Sequence, residues 1–293
     1  MIAAFLVLDG FLLYIYLGGR NKMLNVSDRR IDDIVEYFTS SGVKIEKKVI
    51  ETRIPDNPIY TFLNDNNASV PENTAKKISE NLGTDNNYGF VETPDGIVYT
   101  FFDKEGSINA SIKLFSDGFT LEYGVEGFDK TAFEDFDFDT PHETGTDPDA
   151  LSKSAAEKFI KSLVAKSNPF FSVQTVKNTD NAVVLSAVQN VDEKNALEGF
   201  YLNMIEKDGE IVYAYGKIVC DDFKESYSEK LLDSVNALRR VDIEKTKEIT
   251  SQKITYVLRY SDSGVYYLIP TWKIIYIDVL GQQNIQYVDA ILE

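Results

Sequence analysis

One cysteine, one histidine and one tryptophan are all that 293 residues contain of those three types. A single Cys220 excludes an intrachain disulfide and a thiolate metal cluster, so stability has to come from packing; its place after Ile218 and Val219, at the end of a strand pattern, marks it as a core residue. Positive charge is also scarce, with 30 Lys and Arg against 47 Asp and Glu and a net charge of −17. Such a chain is repelled by nucleic acid, and by anionic lipid headgroups or wall polymers unless cations bridge them, so its partners are expected among proteins and neutral groups. The motifs that announce chemistry are missing as well. There is no Gly-x-Gly-x-x-Gly, no phosphate-cradling lysine loop, no Cys-x-x-Cys, no Gly-x-Ser-x-Gly and no second histidine to complete His142-Glu143 as a zinc motif. Asp103-Lys-Glu105-Gly106 opens like a calcium loop, but its glycine comes too early and no glutamate closes it. No cofactor and no metal are expected. Paired carboxylates could serve glycoside chemistry, yet with 47 acidic residues such pairs arise by chance.

What is present begins at the first residue. Residues 1–17 form an apolar run with Asp9 and Gly10 at its middle. At about 1.5 Å per helical residue such a run reaches about 26 Å, slightly short of the roughly 30 Å hydrocarbon core of a bilayer. Tyr14 and Tyr16 near one edge suit an interfacial belt. A cleaved signal peptide wants a basic start and a small-x-small cleavage site, which Tyr16-Leu17-Gly18-Gly19-Arg20 does not supply, and a lipoprotein signal would need a cysteine there. An uncleaved transmembrane anchor over residues 1–19 is the expectation, with a few charged residues expected upstream of Met1. Arg20, Lys22, Arg29 and Arg30 all follow the run, and counting charges would leave the body in the cytoplasm; long domains, however, translocate largely regardless of charge.

Beyond the anchor, residues 27–38 place apolar side chains at i, i+3, i+4 and i+7, with Ser27 as N-cap and Gly42 as stop, predicting an amphipathic helix. A polar stretch over residues 64–87 holds at most one helix, around residues 72–82. Strand patterns follow at residues 96–102, 107–115 and 119–125, the last two joined by the hairpin signal Asp117-Gly118. In residues 134–150 seven of seventeen are acidic, two are proline, and none is Lys or Arg. That composition predicts an exposed linker with His142 in a solvated loop. A helix over residues 152–166 comes next, then strands at residues 170–176, 182–188, 200–205 and 211–219, a helix over residues 228–238, and strands at residues 254–260, 265–269, 272–279 and 285–291. Helices alternating with antiparallel strands, without repeating βα units, argue for an α+β class and against a doubly wound nucleotide-binding fold. The expected layout is an anchor at 1–19, an α+β domain at 20–133, the acidic linker at 134–150 and a second α+β domain at 151–293, each an antiparallel sheet with packed helices.

Two strings carry a resemblance. The opening Ile2-Ala-Ala-Phe-Leu-Val-Leu-Asp-Gly-Phe-Leu-Leu-Tyr14 and the closing Tyr266-Tyr-Leu-Ile-Pro270-Thr-Trp272-Lys-Ile274, followed by Tyr287-Val-Asp-Ala290, are similar to the YycI family, accessory regulators of the cell-wall sensor histidine kinase YycG, also called WalK, in low-GC Gram-positive bacteria. The related YycH and YpeB proteins have similar C-terminal modules. The resemblance implies a short cytoplasmic N-terminus, one span, and an extracytoplasmic body that associates with a YycH-like protein and the kinase in the cell membrane, without catalysis of its own. A carboxyl at mid-span costs about 2.5–3.5 kcal/mol, so Asp9, beside Gly10, is expected to be protonated or paired with a polar group on a partner helix, the alternative being a shallow span in which Asp9 reaches the interface. Pro270 and Trp272 read as structural, the one limiting strand pairing and the other filling the core. Two readings of other classes stand beside this one: an anchored binding module for wall material or a peptide, using an aromatic groove, and an enzyme such as a wall hydrolase.

Overall fold

The computed structural model describes residues 25–52, 58–62, 69–142, 144–164, 170–179, 181–220, 223–227, 231–261 and 265–291. In chain order the elements are α1 (Asp28–Ser40), β1 (Lys44–Ile45), β2 (Ile59–Phe62), α2 (Ser69–Leu82), β3 (Tyr88–Thr93), β4 (Gly96–Phe102), β5 (Ile108–Phe115), β6 (Thr120–Val125), α3 (Ala150–Leu163), β7 (Phe171–Asn178), β8 (Val183–Asn190), β9 (Ala196–Lys207), β10 (Glu210–Lys217), β11 (Lys224–Tyr227), α4 (Ser234–Leu238), β12 (Thr246–Tyr260), β13 (Tyr266–Asp278) and β14 (Gln283–Asp289). The fold is α+β, mostly sheet with few helices. Among the described residues no helix is long and apolar enough to cross a membrane. The expected anchor, with Asp9 and Gly10, lies outside the described residues.

The chain divides into two compact units: Met1–Tyr60 with Glu225–Val257 and Leu268–Glu293, and Thr61–Lys224 with Leu258–Tyr267. This division falls elsewhere than at residues 134–150, which lie inside the second unit. The reason is strand pairing across that segment. β6 precedes it and β10 follows it, yet the two are antiparallel neighbours in the register Tyr213↔Gly124 to Lys217↔Thr120.

In the first unit, α1 forms because Ile31, Ile34 and Phe38 recur on one face, and all three are buried. Ser27 holds the N-cap position without a side-chain cap bond, and Asp28 places negative charge at the positive end of the helix dipole. Gly42, at φ +82°, lets the chain reverse so that the Val43 N–H reaches the Phe38 carbonyl at 2.9 Å. The strand after it, β1, runs parallel to β12, Ile45 beside Ile249. β13 and β14 form an antiparallel hairpin, Trp272 opposite Val288. Trp272 is fully buried and its indole N–H donates to the Leu232 carbonyl at 2.7 Å. Pro270 stands one residue before the β13–β14 register begins, and its carbonyl still accepts from the Ala290 N–H. Of the helix expected over residues 228–238, the described residues 231–238 form only the turn-and-a-half α4. The Asp233 carboxylate caps it by accepting from the Asn236 N–H at 2.9 Å, so the helix cannot extend further back.

The second unit is built on an eight-stranded antiparallel sheet in the order β7-β8-β9-β10-β6-β5-β4-β3. Two turns carry strong local signals. At Asp117-Gly118 the Asp117 carboxylate accepts from the Phe119 and Thr120 N–H groups at 2.9 and 2.8 Å. At Asp208-Gly209 both residues have positive φ, +53° and +84°, the geometry that closes a two-residue hairpin. Side chains alternate across the strands with period two. Leu121, Tyr123, Leu185, Leu202, Met204 and Ala214 enter one core, which also takes Ile78 of α2 and Ala156, Ile160 and Leu163 of α3. Each fully buried Leu, Ile or Met side chain among them contributes about 1.5–3 kcal/mol. α3 begins two residues before the expected position because the Asp149 carboxylate caps it, accepting from the Leu151 and Ser152 N–H groups. The opposite face of the sheet carries Glu122, Asn203, Ile205, Tyr213 and Tyr215, and among the described residues no α-helix covers it, only a short 3-10 turn at Lys130–Phe133.

Candidate functional site

That second face is covered instead by residues 128–142. Phe128, Phe133, Phe136 and Phe138 pack with Val184, Ile205 and Tyr213 in a smaller core. Spaced five, three and two residues apart, these phenylalanines follow neither a sustained helical nor a strand periodicity, so the acidic residues between them dominate the sequence pattern. Several bonds hold the segment down. The buried Asn203 amide donates to the carbonyls of Phe138 and Thr140 at 3.0 and 2.9 Å, and its Oδ1 has no hydrogen-bond partner among the described residues. The His142 N–H reaches the Ser186 hydroxyl at 3.4 Å, and Lys177 Nζ lies 2.8 Å from both Asp135 oxygens. Thr146 and Thr175 exchange backbone bonds at 3.0 and 2.8 Å. Composition predicted a free linker; the segment is strapped to the sheet. Asn203 is the residue that sequence reading passed over, since a lone asparagine in a strand carries no signal of what lies across from it.

Between strap and strands runs a groove of about 490 Å³. Its walls are Phe136 and Phe138 on one side and Tyr213 and Tyr215 on the other, with Glu122, Asp137 and Asp139 along it. Phe136 meets Phe138 edge-on at 4.7 Å, and Phe138 meets Tyr213 edge-on at 5.2 Å. One cation already sits here. Lys130 Nζ lies 3.1 Å from Glu122 Oε1 and 5.1 Å over the Tyr213 ring, while the Tyr213 hydroxyl donates to the same Glu122 oxygen at 2.9 Å. Burial pushes the Tyr213 phenol up, and the Glu122 carboxylate pushes it further. Burial and the charge of Asp139 push Tyr201 up to about 12. Burial, and then a hydrogen bond to Asp139, also raise Tyr215. Asp137 is held below the usual carboxylate range by the Asp139 N–H and the Thr140 hydroxyl. The arrangement presents fixed negative charge beside aromatic faces, which is chemistry for holding a cationic or amphipathic group.

The other residues singled out in the sequence fall away from this chemistry. His142 lies half-buried on the edge of the strap, its Nε2 2.8 Å from the Asp137 carbonyl and its ring 4.5 Å from Phe136. Among the described residues no group of three His, Cys, Asp or Glu side chains could hold a metal ion. Cys220 is half-buried against the larger core. Tyr266, at the head of the closing string, belongs to an aromatic cluster: it stacks on Phe62 at 5.2 Å and meets Phe119 edge-on at 5.3 Å.

No family model matches the chain, and no curated protein matches it. Two solved structures are similar at low identity. An uncharacterised protein from Eubacterium rectale ATCC 33656 shares 13% identity with a TM-score of 0.46, over 85% of this chain and 87% of that one. The YpeB C-terminal domain of Bacillus megaterium shares 13% identity with a TM-score of 0.32, over 74% of this chain and 96% of that domain.

Proposed function

We propose that this chain is a non-catalytic regulator held at the cell membrane by its N-terminal apolar run, with its body outside, and that it acts by binding other proteins. The specific reading is a YycI-like accessory to a YycG (WalK) sensor histidine kinase, working together with a YycH-like partner. The observation that carries it is the closing pair of strings. Tyr266–Ile274 and Tyr287–Ala290 are separate in the sequence, yet Thr271 and Trp272 pair with Asp289 and Val288, so the resemblance falls on one hairpin around the single tryptophan. The mid-span Asp9 supplies a physical motive for a partner helix. Binding would bias the kinase between signalling states by as much as the affinities for those states differ. The test is affinity purification of the tagged full chain from solubilised Gram-positive membranes. Co-recovery of a sensor kinase and a second single-span protein supports the reading, and recovery of neither sinks it.

A second reading, an anchored module for a peptide or wall material, is favoured by the groove of Phe136, Phe138, Tyr213 and Tyr215. A basic peptide titrated against the full chain separates the two. Saturable binding lost in Tyr215→Ala, without kinase recovery, favours the module.

A further inference from the structure

The helical face of the same unit holds a pocket of about 160 Å³ where α2 and α3 cross β6 and β10. Its lining is largely apolar, with Ile78 and Leu82 from α2, Ala155 and Phe159 from α3, and Ile211 from β10, beside the buried Ser162, whose hydroxyl donates to the Phe159 carbonyl. Interiors pack with few voids larger than a water molecule, and an apolar cavity of about 150 Å³ accommodates a benzene-sized ligand.

Tyr123 turns this space from a packing gap into a site. Its side chain is 2% exposed and lines the pocket, with the Phe159 ring at 4.8 Å, and its hydroxyl makes no hydrogen bond among the described residues while remaining open to solvent. Burial raises its pKa, and the nearby Glu210 charge raises it further, so the hydroxyl stays protonated. The mouth adds Lys158 and Glu210, neither in an ion pair among the described residues, and the side-chain amides of Asn81 and Asn109, which have no hydrogen bond among them either.

We propose that the pocket binds a small zwitterion with an apolar side chain, an α-amino acid of about leucine size. The hydrocarbon lies on the floor, Lys158 and the amides of Asn81 and Asn109 take the carboxylate, and Glu210 and the Tyr123 hydroxyl oxygen take the ammonium. An ammonium or carboxylate alone satisfies only half of this mouth, and burying one charged head beside an unmatched opposite charge is costly. The site goes beyond the regulatory reading and does not depend on it.

The test is isothermal titration of the full chain in detergent with L-leucine, L-valine and L-phenylalanine, and with 4-methylpentanoate and 3-methylbutylamine as heads of one charge. At least one amino acid is expected to bind saturably at one site, with both single-charge analogues of leucine at least about tenfold weaker than L-leucine. Ala155→Phe fills the floor and is expected to abolish binding with the circular dichroism unchanged. Lys158→Gln and Glu210→Gln, both at exposed positions, should each weaken it about tenfold, and they decide the matter if Ala155→Phe does not fold. No saturable binding of any of the three amino acids, equal binding of a single-charge analogue, or full affinity in both mouth variants would overturn the proposal.

Discussion

The Tyr213 hydroxyl donates to Glu122 Oε1 at 2.9 Å from a neighbouring strand, and Lys130 Nζ lies 3.1 Å from that same oxygen. One carboxylate thus joins β6, β10 and the strap. Tyr213→Phe deletes the donor while keeping the ring, and it should destabilise the second unit by about 1 kcal/mol, the net worth of one such bond. Glu122→Gln should cost a similar amount, and the double variant should cost less than the sum, because the two side chains share one interaction. Urea unfolding of the four proteins measures this.

Alkaline pH should loosen the same face. A phenol whose folded pKa is raised contributes stability that is fully present below its unfolded value near 10 and is lost as pH rises through the folded value. For Tyr201 that window runs from 10 to about 12. Phenolate absorbance should show tyrosines that titrate late, and Tyr201→Phe should flatten the fall of stability in that window. A Tyr201 that titrates like a free phenol would contradict the buried setting.

Asn203 should govern the strap. Its amide makes two bonds to backbone carbonyls that have no obvious replacement, so Asn203→Ala is expected to cost about 1–3 kcal/mol and to open residues 134–142 to proteases. In the unaltered protein that acidic segment should resist cleavage, read by mass spectrometry of early fragments.

Asp233 joins two roles in the first unit. It caps α4 and forms a bidentate pair with Arg30 of α1 at 2.9 and 3.1 Å. Arg30 is 40% exposed, so solvent screening leaves the pair worth under about 1 kcal/mol, while the cap is worth about 1 kcal/mol. Asp233→Ala should therefore cost about 2 kcal/mol and Asp233→Asn, which retains a capping oxygen, less. Trp272 is the lone tryptophan and lies in the core of the same unit, so its fluorescence reports that unit's unfolding directly.

Asp9 tests the membrane reading. Asp9→Leu should retain insertion, since leucine is cheaper in lipid, and should weaken co-purification with the kinase or the YycH-like protein; Asp9→Asn should do less harm because an amide still hydrogen-bonds. Unchanged complex formation by Asp9→Leu would leave recognition to other parts of the chain.

Local signals made much of the fold legible. Apolar spacing marked α1 and α3, and Asp117-Gly118 marked a hairpin that forms where expected. The first half of β12 was not legible, because Thr246 and Gln252 are buried polar residues whose partners, the Asp242 and Ser234 carbonyls, are supplied by other segments. Gln189 and Asn190 hid the end of β8 in the same way: Gln189 is fully buried and bonds both the N–H and the carbonyl of Val219.

The sequence by itself determined the element types, the acidic character and the α+β class, since helical and strand periodicity and turn geometry depend on neighbours a few residues away. Only the tertiary structure decided that β10 pairs with β6, that residues 128–142 lie on the sheet instead of dividing the chain, and that Asn203 leaves its Oδ1 unbonded among the described residues. Those outcomes depend on which distant segments together bury the most apolar surface and satisfy the most polar groups, a sum over the whole chain that no local window contains.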